Sequence, residues 1–179
     1  MNILVINASP RTLGNCDKLL SRLMQSFSRD DRVKTFKVFE MGVTACNACG
    51  YCKSADGCSK KDLQEFFGFY AESDVVIFAT PVYNYSLPAP MKALLDRFQR
   101  YYEAAYRGEN LMEKPKSAVL IVTAGSDGRI GFEIIKKQLE SCIKNVNTKL
   151  TGSALFSNTD TRQLTEEDYA RLRELVRGL

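Results

Sequence analysis

A chain of 179 residues with 45% hydrophobic content is long enough to bury a sizeable core and too apolar to remain disordered. Its 25 Lys and Arg against 21 Asp and Glu leave a net charge of +4, and no basic run exceeds Lys60-Lys61, so neither nucleic acid nor a membrane is expected as a partner. Histidine is absent, which excludes nucleophilic catalysis of the Ser-His or Cys-His type.

The opening MNILVINASPR has no basic lead, and its apolar stretch ends too soon for a signal peptide or a spanning helix, so a cytoplasmic protein is expected. ILVIN reads as the first strand, and Leu19, Leu20, Leu23, Met24 and Phe27 then recur on one helical face. FKVF reads as a partly polar strand suited to a sheet edge, whereas DVVIFAT and AVLIVTAG are dense in β-branched residues, as strands buried on both faces are. Between those two, Met91, Leu94, Leu95, Phe98 and Tyr102 form a helical stripe, and the segment from Gly131 to Ile143 forms another. LTGSALF is the last strand, and Thr165 with Asp168 three residues on caps a final charged helix. Strands alternating with helices predict one α/β domain over 1–179, with five parallel strands in the order 2-1-3-4-5 and helices on both faces. Such a sheet binds ligands beyond the carboxyl ends of its strands, so the loops there carry the functional argument.

The first loop, NASPRTLGNCDKLL, matches neither the dinucleotide fingerprint nor the nucleotide P-loop. It does place Ser9, Arg11, Thr12 and Asn15 around the free N–H groups of a helix start, a favourable place for a phosphate; an ordinary turn capped by Ser9 or Asn15 is the other reading. The second loop, ATPVYNYSLPAP, is stiffened by Pro81, Pro88 and Pro90 and carries Tyr83 and Tyr85, so it either holds a planar ring or is a rigid connection with local packing. The third, TAGSDG, is small enough to let a flat ligand approach the main chain, and is also a generic turn.

Taken together, NASPRTLGN, ATPVYNYSLPAPMKALLDR and TAGS resemble the flavodoxin-like NAD(P)H-dependent FMN reductases, and the cysteine run ahead of the third strand resembles their iron–sulfur flavoprotein branch. The resemblance implies a flavodoxin-like three-layer sandwich. It also implies that Ser9, Arg11, Asn15 and Cys16 hold the FMN phosphate, that Pro81, Val82, Tyr83 and Asn84 line the isoalloxazine ring, and that Gly125 completes the ring's edge. Cys16 stands where the family usually has Ser or Thr, and SKKDL after Cys58 replaces the two consecutive acidic residues frequent in relatives.

The cysteine-rich loop at 43–59 holds Cys46, Cys49, Cys52 and Cys58 with spacing C-x2-C-x2-C-x5-C. A reducing compartment disfavours structural disulfides, and structural zinc favours two pairs separated by a longer excursion. Three cysteines at successive x2 spacings suit a [4Fe–4S] cubane, whose irons need separate thiolates. A cluster and a metal-free reduced loop both remain open. Cys142 reads as a small buried residue.

The leading function is an FMN-dependent oxidoreductase, since a bound flavin does its chemistry without a histidine. With a cluster, the chain would be an electron-transfer protein fed by a carrier such as ferredoxin; without one, it would use NAD(P)H to reduce a quinone or free flavin. The alternative is a metal-binding or redox-sensing module without flavin turnover. The aromatic stretch FQRYYEAAY carries more large side chains than one buried face requires, predicting a homodimer or homotetramer.

Overall fold

The computed structural model describes residues 1–177. Its five strands are β1 (Asn2–Asn7), β2 (Arg32–Lys37), β3 (Val75–Pro81), β4 (Lys116–Thr123) and β5 (Thr148–Phe156). All pair in parallel, in the expected order β2-β1-β3-β4-β5. The connections carry α1 (Asn15–Met24), the single turn α2 (Tyr51–Ser54), α3 (Gln64–Glu72), α4 (Ala89–Asp96), α5 (Gln99–Tyr106) and α6 (Arg129–Ile143), and α7 (Glu166–Glu174) follows the last strand.

Successive side chains of a strand point to opposite faces, so each central strand feeds two cores. On one face Leu4, Ile6, Val76, Phe78, Leu120 and Val122 pack with side chains of α3 to α6. On the other, Ile3, Val5, Ile77 and Ile121 pack against Leu19 and Leu23 of α1 and Leu172 of α7. Each such side chain, fully buried, contributes roughly 1.5–3 kcal/mol. Thr165 and Asp168 form the expected capping box at the start of α7.

Three local expectations change. The edge strand is RVKTFK rather than FKVF, and Val38–Glu40 forms a turn of 3-10 helix. The six residues of β1 are already paired when Lys37 stands opposite Asn7, so the ladder ends there and Val38 turns inward. The stripe expected to end at Tyr102 ends instead at Tyr101, which is 4% exposed against 47% for Tyr102. The helix breaks between α4 and α5, where Phe98 N–H bonds Leu95 C=O at 3.0 Å; this tighter turn advances the buried face by about one residue. Cys142 is half-buried rather than buried, because it lies one position off the inward row of Ile135, Leu139 and Ile143.

Candidate functional site

Because the strands are parallel, β1, β3, β4 and β5 all end on one rim, and a single cleft opens between their loops. It is lined by Ser9, Arg11, Asn15, Cys16, Pro81, Val82, Tyr83, Thr123, Gly125, Thr159 and Asp160. The structure therefore brings together every candidate flavin residue except Asn84, which sits beside Tyr83 at the tip of the second loop.

The first loop is organised by its own side chains. Asn7 Oδ1 accepts from Ser9 N–H at 3.0 Å, Ser9 Oγ accepts from Arg11 N–H at 3.2 Å, and Asp17 accepts from Leu13 N–H at 2.7 Å. The cap of α1 is Gly14, which offers no side-chain acceptor, so neither Ser9 nor Asn15 caps the helix. The N–H groups of Asn15 and Cys16 consequently keep their positive end open to the cleft, the arrangement that receives a phosphate. Cys16 is buried, with its Sγ 3.4 Å from Thr123 Oγ1, and burial pushes its thiol up to about 11 although the Thr123 hydroxyl works the other way. It is a neutral packing group beneath the loop, and its backbone N–H is what it offers a ligand.

In the second loop, Val82 N–H is fixed to Thr123 C=O at 2.8 Å, and Tyr83 and Ser86 exchange two backbone bonds of 2.9 Å. Asn84 (φ 49°) and Tyr85 (φ 61°) both adopt left-handed conformations between them, giving a type I′ turn. Helix α6 supports the turn at close quarters: a Cβ on Gly131 would stand 2.6 Å from Val82 Cγ1 and 3.2 Å from Tyr85 Cα. At the third loop the Asp160 carboxylate occupies the space a side chain at 125 would need, 2.2 Å from the ideal Cβ. Thr159 N–H bonds Ala124 C=O at 3.0 Å, and Asp160 N–H bonds Gly125 C=O at 3.2 Å. Thr159 and Asp160 were not among the sequence candidates. The signal that could have found them is SNTD directly after β5, since that strand ends on the same rim. Backbone donors at a helix start and a loop stiffened for a ring fit a flavin mononucleotide, and the third loop adds the Gly125 main chain with the Asp160 carboxylate packed against it.

The cysteine-rich loop forms a second site. Cys46, Cys49, Cys52 and Cys58 line one cavity of about 370 Å³, whose opposite wall is Asp96 at the end of α4 with Gln99 and Glu103 of α5. Left-handed residues at Ala48, Gly50 and Gly57 bend the chain between the cysteines, keeping all four on that cavity. All are free thiols; Cys46 and Cys49 are exposed, Cys52 and Cys58 half-buried. A hydrogen bond with Ser59 at 3.2 Å, aided by the Tyr51 N–H, holds Cys49 below the usual thiol range, whereas burial and the nearby Glu103 raise Cys52. Among the described residues no three His, Cys, Asp or Glu side chains are close enough to hold a metal ion. A cubane places each thiolate on a different iron, so its cysteines stand further apart than the ligands of one ion.

Comparisons with known proteins agree with this layout. The sequence model of the NADPH-dependent FMN reductase family matches residues 1–160. An iron–sulfur flavoprotein of Methanocaldococcus jannaschii is 31% identical over 191 residues, covering 100% of this chain and 93% of that protein. An iron–sulfur flavoprotein of Methanosarcina thermophila is 31% identical over 128 residues, or 70% of this chain, but the match spans only 64% of that relative's length. Among solved structures, an FMN-dependent NADH-azoreductase from Bacillus anthracis in complex with FMN superposes with a TM-score of 0.75 at 15% identity, covering 97% of each chain; at that identity it attests the fold.

Proposed function

We propose, from the premise that this chain belongs to the NADPH-dependent FMN reductase family and its iron–sulfur flavoprotein branch, that residues 1–179 act as one FMN-binding electron-transfer unit with two redox sites. The observation that carries the flavin half is the convergence of all three motif loops on one cleft. In this reading Ser9, Arg11 and the N–H groups of Asn15 and Cys16 bind the phosphate. Pro81, Val82 and Tyr83 support the ring, Asn84 shapes the turn that holds Tyr83, and Gly125, with the Asp160 carboxylate beside it, offers its main chain to the ring's edge. Bound there, FMN exchanges hydride or single electrons. The protein contributes position and electrostatics: the start of α1 and Arg11 favour the anionic phosphate, and the rigid second loop excludes water from one side of the ring.

The cysteine half of the proposal is a [4Fe–4S] cluster held by Cys46, Cys49, Cys52 and Cys58. Four thiols on one cavity support it, as do the names of the relatives. Lys53, Lys60 and Lys61 lie in or beside that loop and would offset the negative charge of four thiolates. A cluster held by these cysteines would supply one-electron chemistry suited to a carrier such as ferredoxin, and FMN in the cleft would suit a quinone or flavin acceptor. A metal-free loop would instead leave NAD(P)H as the donor. The alternative of a redox-sensing module without flavin turnover finds no support in a family match that covers all three flavin loops. No helix among the described residues is long and apolar enough to cross a membrane. The oligomer proposal draws on Tyr85, Ile130 and Tyr106, which are 63%, 66% and 83% exposed.

The deciding experiment is an anaerobic visible spectrum of freshly purified protein with flavin, iron and sulfide analysis. Flavin bands with a broad shoulder that a low-potential reductant bleaches, and about four irons per FMN, are expected for the cluster reading. Stoichiometric FMN without iron would leave an NAD(P)H-dependent reductase, and absence of flavin would overturn the proposal.

A further inference from the structure

The cysteine loop contains one helical turn and otherwise no regular structure, yet its two stems are tied to a single buried side chain. Arg97, whose side chain is 1% exposed, lies at the break between α4 and α5. Its Nη1 donates to Thr44 C=O at 2.8 Å on the incoming stem, and its Nη2 donates to Lys60 C=O at 2.9 Å on the outgoing stem. Asp62 closes the arrangement. Its carboxylate lies 2.9 Å from Arg97 and accepts from Thr44 N–H at 2.8 Å. Burial works to raise the Asp62 carboxyl, but the Thr44 N–H and the guanidinium outweigh it and hold the group below the usual carboxylate range. Two further arginines of the same helical segment touch the body of the loop: Arg100 pairs with Asp56 at 3.4 Å, and Arg107 donates to Cys52 C=O.

The placement of these contacts matters more than their number. The loop at 81–88 that lines the flavin cleft runs directly into α4, so the segment that buttresses one site also grips the other. Asp96, Gln99 and Glu103 face the cysteine cavity, while Arg97, Arg100 and Arg107 hold the loop that forms its far wall. A buried ion pair contributes little net stability against an apolar pair of the same volume, and Arg97 Nε finds no acceptor among the described residues. The consequence of the pair is therefore geometric.

We infer that Arg97 is the positioning residue of the cysteine site: it closes the stems of the loop at 44–60 and keeps the four cysteines on their common cavity before any metal arrives. The iron-dependent part of this inference rests on the cluster reading above; the closure of the loop does not. Arg97 differs in this from the thiols themselves, because it would touch no iron. Its removal loosens a pre-shaped site and leaves the ligands intact.

The test uses the full chain with FMN bound, freed of metal by chelation, and follows tryptic nicking after Lys60, the residue whose carbonyl Arg97 holds. Arg97→Gln is expected to nick at least about tenfold faster, since lost charge-assisted hydrogen bonds shift a local opening equilibrium by that order. Arg97→Lys, which can keep one carbonyl but cannot span both, is expected to fall between the two. After anaerobic loading with ferrous iron and sulfide, the iron-to-FMN ratio should fall in the same order. An Arg97→Gln protein that keeps FMN and shows unchanged nicking and iron content overturns the inference. Should that variant lose FMN and its circular dichroism, Asp62→Asn decides: faster nicking, by a smaller factor, supports the clamp, and an unchanged rate overturns it. If the unaltered protein takes up no iron, the cluster reading fails, and the nicking rates still decide the clamp.

Discussion

The flavin cleft and the cysteine cavity are built on opposite principles. The cleft hangs from the ends of four paired strands; its second and third loops are fixed by backbone bonds such as Val82 N–H to Thr123 C=O and Ala124 N–H to Phe156 C=O, and its first loop by short side chains of its own. The cysteine cavity has no strand beneath it and is held by guanidinium side chains reaching from α4 and α5. A backbone-held site tolerates side-chain change wherever the main chain can keep its path. A side-chain-held site depends on individual residues, and on the charge each carries.

The largest expected effect separates the two regions completely. Replacing any one of Cys46, Cys49, Cys52 or Cys58 by Ala should abolish stoichiometric iron and its absorption while FMN stays bound, because the residues proposed to bind FMN lie in other loops. Parallel loss of FMN and iron would show that the sites are not independent.

The flavin cleft has its own exception, Arg11, the one fully charged side chain that the phosphate reading invokes. Arg11→Ala should weaken FMN by roughly tenfold to a hundredfold, the magnitude of a charge-assisted hydrogen bond, and should leave riboflavin affinity nearly unchanged. Fluorescence titration of both ligands measures this, and equal losses would remove Arg11 from the phosphate site.

Where the cleft relies on main-chain proximity, it should fail sterically. Gly131→Ala places a methyl 2.6 Å from Val82 Cγ1 and against the backbone of Tyr85, so α6 or the ring loop must shift. A cost of about 1–3 kcal/mol is expected, read as a fall in melting temperature together with weaker FMN binding. A stable variant with normal affinity would mean that the turn is free to move.

The smallest effect is a contrast between thiols. Cys16, its thiol pushed up to about 11 by burial, should resist alkylation at pH 8 and acquire label only as the pH rises toward that value. Exposed Cys46 in the metal-free protein should label readily at pH 8. Mass spectrometry of peptides after brief iodoacetamide treatment checks both, and early labelling of Cys16 would show that the floor of the cleft opens.

Much of this molecule was legible in one sequence because its central strands state their own position. DVVIFAT and AVLIVTAG contain almost nothing that could face water, so they belong inside a parallel sheet, and their order fixes where the connecting loops emerge. The place of the three loops followed, since loops at strand ends share a rim whatever the details of packing; the flavin residues within them came from the resemblance to the FMN reductases. Thr159 and Asp160 escaped because SNTD looks like any turn until β5 is placed beside β4.

The edge strand, the helix break at Arg97 and the state of Cys142 were decided by tertiary contacts. A strand's length depends on the partner it pairs with, and a helical stripe cannot reveal a one-residue change of phase. The spacing of the four cysteines suited a cluster but left a metal-free loop equally open. What brings them to a common cavity is written about forty residues away, in arginines that look like ordinary surface residues of an amphipathic segment. Local sequence specifies periodicity and ligand chemistry; only the folded chain specifies which distant carbonyl a guanidinium will meet.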